Sequence, residues 1–173
     1  MAAATSDRPV DSPPDSGFLD AMAALAGGVC VVTALTADGR PVGFTSTAVM
    51  SVSRKPQLLA IGVGRRGRTL TTLLDGRRFA LNILHADGEH VSRRFADRSA
   101  DRFAELEWSA AERGGLPLLL AHSSHAVLCR VAQDLPAGDH QLIVAAVEQV
   151  VPGTGGPTAL VHHGRRYHAL GAA

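Results

Sequence analysis

Gly138-Asp139-His140-Gln141-Leu142-Ile143-Val144-Ala145-Ala146-Val147 is a tight polar turn that runs straight into an apolar strand lasting to Val150. Glycine and aspartate are the residues a sharp reversal favours, and the apolar run behind them suits an extended, buried segment. The turn sets one imidazole at the mouth of a buried strand, where a ligand could meet it. Alone this decides little, because a turn followed by a strand is common and most such histidines carry no chemistry.

Outward from this stretch the same alternation of short strand and turn recurs. Strands are expected over residues 29–34, 42–48, 57–63, 78–84, 124–131, 140–150 and 166–170. Asp38-Gly39 supplies the positive φ of a hairpin between the first two. Helical spacing appears over residues 18–26, stopped by Gly27-Gly28, over 69–75, and over 88–96, with a further helical turn at 101–106. Residues 152–157 form a Gly/Pro loop. Many short strands without a long strand–helix alternation predict a mainly β domain with a few short helices, an antiparallel barrel in place of a doubly wound sheet. No Gly-x-Gly-x-x-Gly opens a helix after a strand, so a Rossmann site is not supported. The expected organisation is a disordered lead-in over residues 1–16 and one domain over 17–173.

Composition narrows the function. A chain of 173 residues with 46% hydrophobic and 19% charged residues is globular, and a net charge of +1 gives no reason to expect nucleic acid as partner. No run approaches the roughly 20 apolar residues of a membrane helix. The N-terminal residues lack the basic-then-apolar order of a signal peptide, which points to a cytoplasmic protein. Cys30 and Cys129 lie in apolar runs without a Cys-x-x-Cys spacing and read as buried free thiols. Lys55 is the only lysine, so the cationic side chains are nearly all arginine, which pairs bidentately with phosphate; a codon bias toward arginine would leave the same mark.

Two further stretches bear on chemistry. Between Val42 and Ser53, five hydroxyl side chains (Thr45, Ser46, Thr47, Ser51 and Ser53) fall within nine residues. Hydroxyls and nearby amides suit the polar edge of a planar heteroaromatic ring, or a phosphate, although threonine favours edge strands in any case. Gly62-Val63-Gly64-Arg65-Arg66-Gly67-Arg68-Thr69 joins a strand to a helix. Its glycines let backbone amides approach a ligand, and the helix directs its positive end toward the loop, which reads either as a phosphate cradle or as a solvated arginine loop. His122 with His125, and His162 with His163, are pairs to weigh as metal ligands. No carboxylate or cysteine stands at a matching spacing, so no metal is expected. Asp139 and His140 are sequence neighbours and there is no Gly-x-Ser-x-Gly elbow, which argues against a Ser-His-Asp hydrolase.

Taken in order, these residues resemble the short-chain flavin reductase family, the split-barrel reductases that serve two-component flavin-dependent monooxygenases. The resemblance is carried by Phe18-Leu19-Asp20-Ala21-Met22, Gly28-Val29-Cys30-Val31-Val32-Thr33, Gly43-Phe44-Thr45-Ser46-Thr47 and Ser51-Val52-Ser53. It continues through Arg78-Phe79-Ala80-Leu81-Asn82-Ile83-Leu84, Phe95-Ala96 with Asp101-Arg102-Phe103, Gly138-Asp139-His140, and His163-Gly164-Arg165-Arg166-Tyr167. It implies an FMN-binding split β-barrel, Greek-key-like and antiparallel. The implied activity is hydride transfer from NADH or NADPH to FMN or FAD, with reduced flavin diffusing to a partner monooxygenase and the enzyme acting as a homodimer. A flavin carrier or sensor of the same fold is the alternative.

The resemblance also implies a site. Thr45, Ser46, Thr47 and Ala48 would line the isoalloxazine ring, and Gly62, Arg65, Arg68 and Thr69 would surround the ribityl phosphate. Ser51, Ser53, Asn82, Arg94 and Phe95 are further flavin contacts. Asp139 and His140 would meet the nicotinamide nucleotide, His140 as the residue closest to the chemistry, with Tyr167 on the same face. Arg54-Lys55-Pro56-Gln57 departs from the family's usual turn. The loop from Gly64 to Gly67 is richer in arginine than the family's, which leaves both FMN and FAD open.

Overall fold

The computed structural model describes residues 16–97 and 101–171, apart from the side chains of Ser16 and Arg68. Except for Ser16, the lead-in expected over residues 1–16 lies outside the described residues. Helix α1 (Ser16–Ala24) precedes strands β1 (Gly27–Gly28), β2 (Cys30–Leu35), β3 (Pro41–Ser46), β4 (Val49–Arg54) and β5 (Gln57–Gly64). Helix α2 (Arg68–Gly76), strand β6 (Arg78–Leu84) and helix α3 (Glu89–Ala96) follow, then the short strands β7 (Ser109–Ala110) and β8 (Pro117–Leu118). The long strands β9 (Ser123–Ala137) and β10 (His140–Pro152) lead to a closing pair, β11 (Ala159–His163) and β12 (Arg166–Leu170).

Seven strands form one sheet in the order β3-β2-β6-β9-β10-β5-β4, antiparallel at every pairing. Its two end strands, β3 and β4, are consecutive in the chain and separated only by Thr47 and Ala48. A sheet whose opposite edges are joined by two residues must curl until the edges meet. At that seam the Gly62 N–H donates to the Ala48 carbonyl at 2.9 Å. The result is the antiparallel barrel that the strand pattern predicts.

The expected return strand over residues 42–48 ends earlier, at Ser46, and a separate strand starts at Val49. The Ser46 hydroxyl accepts the Ala48 N–H at 3.2 Å, a local bond that competes with strand pairing and turns the chain there. Strand β4 then carries Met50, Ser51 and Val52 exposed in succession, so the alternation that marks a half-buried strand is missing from its sequence. The short strands β1, β7 and β8, and the histidine-bearing β11, also lack a readable alternation.

Inside the barrel the period of two is plain. Strand β10 buries Gln141, Ile143 and Ala145 in alternation, and the last two share one core with Ile61 and Val63 of β5, Phe79 and Leu81 of β6, and Val32 and Ala34 of β2. Helix α2 presses Leu70 and Leu73 onto the same core. A second cluster joins Val29, Val31, Leu84, Val91, Phe95 and Leu160, and seats α3 and the three-stranded sheet β1-β11-β12 against the barrel. Cys30 and Cys129 are buried free thiols, and burial pushes each up to about 12. Among the described residues no helix is long and apolar enough to cross a membrane.

Candidate functional site

An open groove of about 710 Å³ lies where three segments approach one another, bounded by β3, by the loop and first turn after β5, and by the end of α3 with residues 101–103. The β3 wall is thin at Gly43. A Cβ there would stand 2.7 Å from the Val32 carbonyl and 2.8 Å from Cε1 of Phe95, so only glycine lets the Phe95 ring lie directly on the strand backbone. Arg102 ties the third wall to the first, donating from Nη1 to the Gly43 carbonyl at 2.6 Å and from Nε to the Asp97 carbonyl at 2.9 Å.

The second wall is the strand-to-helix loop. Gly64, Arg66, Gly67 and Thr69 line the groove there, and Gly67 caps α2 without a side-chain bond. The first amides of a nine-residue helix, a guanidinium and the buried Thr69 form the donor set that a phosphate requires. These residues therefore fit the phosphate end of a flavin nucleotide on chemistry alone.

The Gly138-Asp139-His140 turn abuts this loop. Gly138 takes the positive φ of +61° that a two-residue hairpin between β9 and β10 demands, and His140 pairs in register with Gly64 of β5. The Arg65 N–H donates to the Asp139 carbonyl at 3.0 Å. His140 Nδ1 lies 2.7 Å from Asp139 Oδ1. A carboxylate only accepts, so Nδ1 carries the hydrogen and Nε2 is left toward Gly64, 3.9 Å from the place a Cβ would occupy. The hydrogen bond and charge of His140, with a smaller contribution from Arg66, hold the Asp139 carboxyl below the usual carboxylate range.

The residues expected at the site fall into several places. Thr45, Thr69 and Phe95 line the groove, with Asp139 and His140 beside it and Arg65 attached through its backbone. The Thr45 hydroxyl is already engaged, donating to the Ser92 carbonyl at 2.6 Å. Ser46, Thr47, Ala48, Ser51, Ser53 and Gly62 gather instead at the barrel seam and along β4, and Ala48 and Gly62 approach so closely that a Cβ on Gly62 would stand 3.2 Å from that of Ala48. Arg94 is half-buried and reaches the Asp101 carbonyl at 3.4 Å. Tyr167 shares a hydrogen bond with Ser92 Oγ at 2.9 Å beneath the Arg93 guanidinium. Arg68 opens α2, and its side chain lies outside the described residues.

Asn82 is not at the groove. It is fully buried, its amide nitrogen donating to the Val31 carbonyl and to Thr33 Oγ1, both at 3.1 Å, while its oxygen accepts the Leu119 N–H at 2.8 Å. Conversely, Arg66, Arg102 and Phe103 line the groove without having been singled out as contacts. Arg66 was one of three arginines in the loop with nothing in the sequence to separate them, and Asp101-Arg102-Phe103 carried only the resemblance.

Comparison with known proteins adds an independent line. The family model of the flavin reductase like domain matches residues 22–171. The NADH flavin reductase of Kitasatospora aureofaciens is 41% identical over 150 residues, 87% of this chain and 78% of that protein. The NADH:riboflavin 5'-phosphate oxidoreductase of Streptomyces pristinaespiralis is 35% identical over 161 residues, 93% of this chain and 90% of that protein. Among solved structures, nitrilotriacetate monooxygenase component B from Mycobacterium thermoresistibile superposes with a TM-score of 0.83 at 26% identity, over 90% of this chain and 86% of that one.

Proposed function

This chain belongs to the flavin reductase-like family, and from that premise we propose that it is an NAD(P)H:flavin oxidoreductase that reduces FMN or FAD. The observation that carries the reading is the backbone bond from Arg65 to Asp139, which fixes the Gly-Asp-His turn against the Gly64–Thr69 phosphate cradle at one groove. Two cofactors that must meet ring to ring need two adjacent binding elements held in fixed relation, and these are such a pair. Bound together, the flavin and the nicotinamide supply the hydride chemistry themselves.

The chain's own residues then bind and orient. Arg66, Thr69 and the first amides of α2 hold the flavin phosphate, with Arg65 and Arg68 adding positive charge around it. Thr45, through its bond to the Ser92 carbonyl, sets the position of the β3 wall, and Phe95 closes its floor. Ser46, Thr47, Ala48, Ser51, Ser53 and Gly62 offer the isoalloxazine an edge of hydroxyls and amides at the seam. His140, kept by Asp139 with its hydrogen on Nδ1, supports the nicotinamide nucleotide.

The functional unit is a homodimer. Helix α1 is tethered to the β11–β12 turn, the Gly164 N–H donating to the Ala23 carbonyl at 2.7 Å and Arg165 pairing with Asp20 at 2.7 Å. Yet Phe18, Leu19 and Met22 remain exposed on it and Leu25 just after it, as do Met50 and Val52 on β4, an apolar surface suited to a second copy. The partner in turnover is a monooxygenase component supplied with reduced flavin in the cytoplasm, a reading supported by the structural similarity to nitrilotriacetate monooxygenase component B. The test is oxidation of NADH and NADPH, followed by absorbance, with and without FMN and FAD. Flavin-dependent oxidation is expected; flavin binding without turnover would leave a carrier in its place.

A further inference from the structure

Helix α3 brings Phe95 to the groove, yet one of its bonds runs to a strand outside the barrel sheet. Ser92 lies just under one helical turn before Phe95, and both are fully buried. A serine inside a helix commonly turns its hydroxyl back on a carbonyl one turn earlier. The Ser92 hydroxyl instead meets Tyr167 Oη of β12 at 2.9 Å. The carbonyl of the same residue accepts the Thr45 hydroxyl at 2.6 Å. Ser92 is thus bonded through its side chain to β12 and through its main chain to β3, the strand that forms the first wall of the groove.

Tyr167 does not itself line that groove, but its ring is gripped. It packs partly buried against the cluster that contains Phe95 and Leu160, and the His162 ring meets it edge-on with centres 5.2 Å apart. The Arg93 guanidinium lies 4.9 Å over the ring centre and is kept there by Glu89, whose carboxylate accepts from Nε at 2.8 Å. A ring held in this way presents its hydroxyl at a fixed point. A fully buried serine hydroxyl without a partner is costly, so α3 favours the one seat at which Ser92 reaches that point. Moving from it would draw the Ser92 carbonyl off Thr45 and the Phe95 ring off the Gly43 backbone together.

We infer that Tyr167 is a positioning residue for flavin binding: through Ser92 it fixes the seat of α3, and with it Thr45 and Phe95 at the groove. This rests on the flavin reductase reading, which supplies the flavin. It gives Tyr167 a task toward the flavin and not as a contact of the nicotinamide nucleotide.

The test compares Tyr167→Phe, Ser92→Ala and the double variant, each in the full chain. Tyr167→Phe keeps the ring, and Ser92→Ala keeps the carbonyl that Thr45 needs, so only the hydrogen bond between them is lost. Each single variant should weaken FMN binding by about fivefold, and the double variant no further, because both remove the same bond. The KM for NADH at saturating FMN should stay within about twofold of wild type in all three. The methyl NMR signal of Thr45 should shift in both single variants without flavin present. A KM for NADH that rises in Tyr167→Phe but not in Ser92→Ala overturns the proposal and makes Tyr167 a nicotinamide contact. A lowered unfolding midpoint with wild-type FMN affinity also overturns it, leaving the bond a purely structural one. If the wild-type chain binds no flavin, the reductase reading fails instead, and the Thr45 signal decides the link: an unmoved signal refutes it.

Discussion

Arg65 and Asp139 are joined by a backbone hydrogen bond of 3.0 Å, although 74 positions separate them in the numbering (139 − 65). The bond welds the strand-to-helix loop to the β9–β10 turn, and the pairing of His140 with Gly64 extends it into the sheet. The loop that opens α2 and a histidine-bearing turn are thus parts of one rigid unit instead of two loops that meet by chance.

His140→Ala should therefore raise the KM for NAD(P)H on the order of tenfold while leaving flavin affinity within about twofold, as expected for loss of one charge-assisted contact. Steady-state kinetics with flavin binding measured separately checks this. An unchanged nicotinamide KM would remove His140 from the site.

The Asp139 carboxyl is held below its usual 3.8 mainly by the hydrogen bond and charge of His140. A lowered folded-state value means that what the contact contributes is complete above 3.8 and disappears only as pH falls through the lowered value. A carbon NMR titration of Asp139 should show a midpoint below 3.8 that moves up in His140→Ala. A midpoint unaffected by that substitution contradicts the contact.

Arg66→Ala tests the phosphate seat. Only the phosphate distinguishes FMN from riboflavin, so affinity for FMN should fall on the order of tenfold and that for riboflavin should hold. The FMN affinity should also lose part of its salt dependence, since a guanidinium–phosphate pair beside an open groove is screened by ions. Equal weakening of both flavins would mean that Arg66 shapes the loop without touching phosphate.

Much of this was legible in the residues. The apolar run of β10, the Asp38-Gly39 turn and the limits of β6 all follow from local preferences that the tertiary structure reinforces. Strand β4 escaped because Met50 and Val52 stay exposed and only Val49 of its apolar residues packs against the core, so burial left no periodic mark. Asn82 shows the opposite difficulty. A polar residue in an apolar strand looks the same in sequence whether it faces a ligand or ties three backbone and side-chain groups together inside the core, and here it does the latter. That Arg66 lines the groove depends on the direction of the backbone at that position, which composition does not encode.

Gly43→Ala should be disproportionately harmful for one methyl group. The new Cβ would meet the Val32 carbonyl and the Phe95 ring at 2.7 and 2.8 Å, and neither can retreat, one being strand backbone and the other fully buried. Overpacking of this kind costs about 1–3 kcal/mol, which denaturant unfolding would measure as a lower midpoint at unchanged slope. Displacing Phe95 also distorts the groove floor, so flavin affinity should fall with stability. A variant of wild-type stability would show that Phe95 has room to move that the structure does not reveal.

The dimer prediction turns on side chains that have no role in a monomer. Phe18 is 62% and Leu19 63% exposed on α1, and Met50 is 57% exposed on β4, while both elements are firmly held to the domain beneath them. Charge placed within an apolar interface has to be desolvated on association, whereas the same charge on a free surface costs almost nothing. Leu19→Glu and Met50→Glu should each shift the chain from dimer to monomer in light scattering, with little change in monomer unfolding. Because β4 also carries Ser51 and Ser53 at the seam, Met50→Glu should lower flavin affinity if the second copy helps to complete that edge. Wild-type protein that scatters as a monomer at all concentrations would refute the assembly and leave this surface without a partner in its own kind.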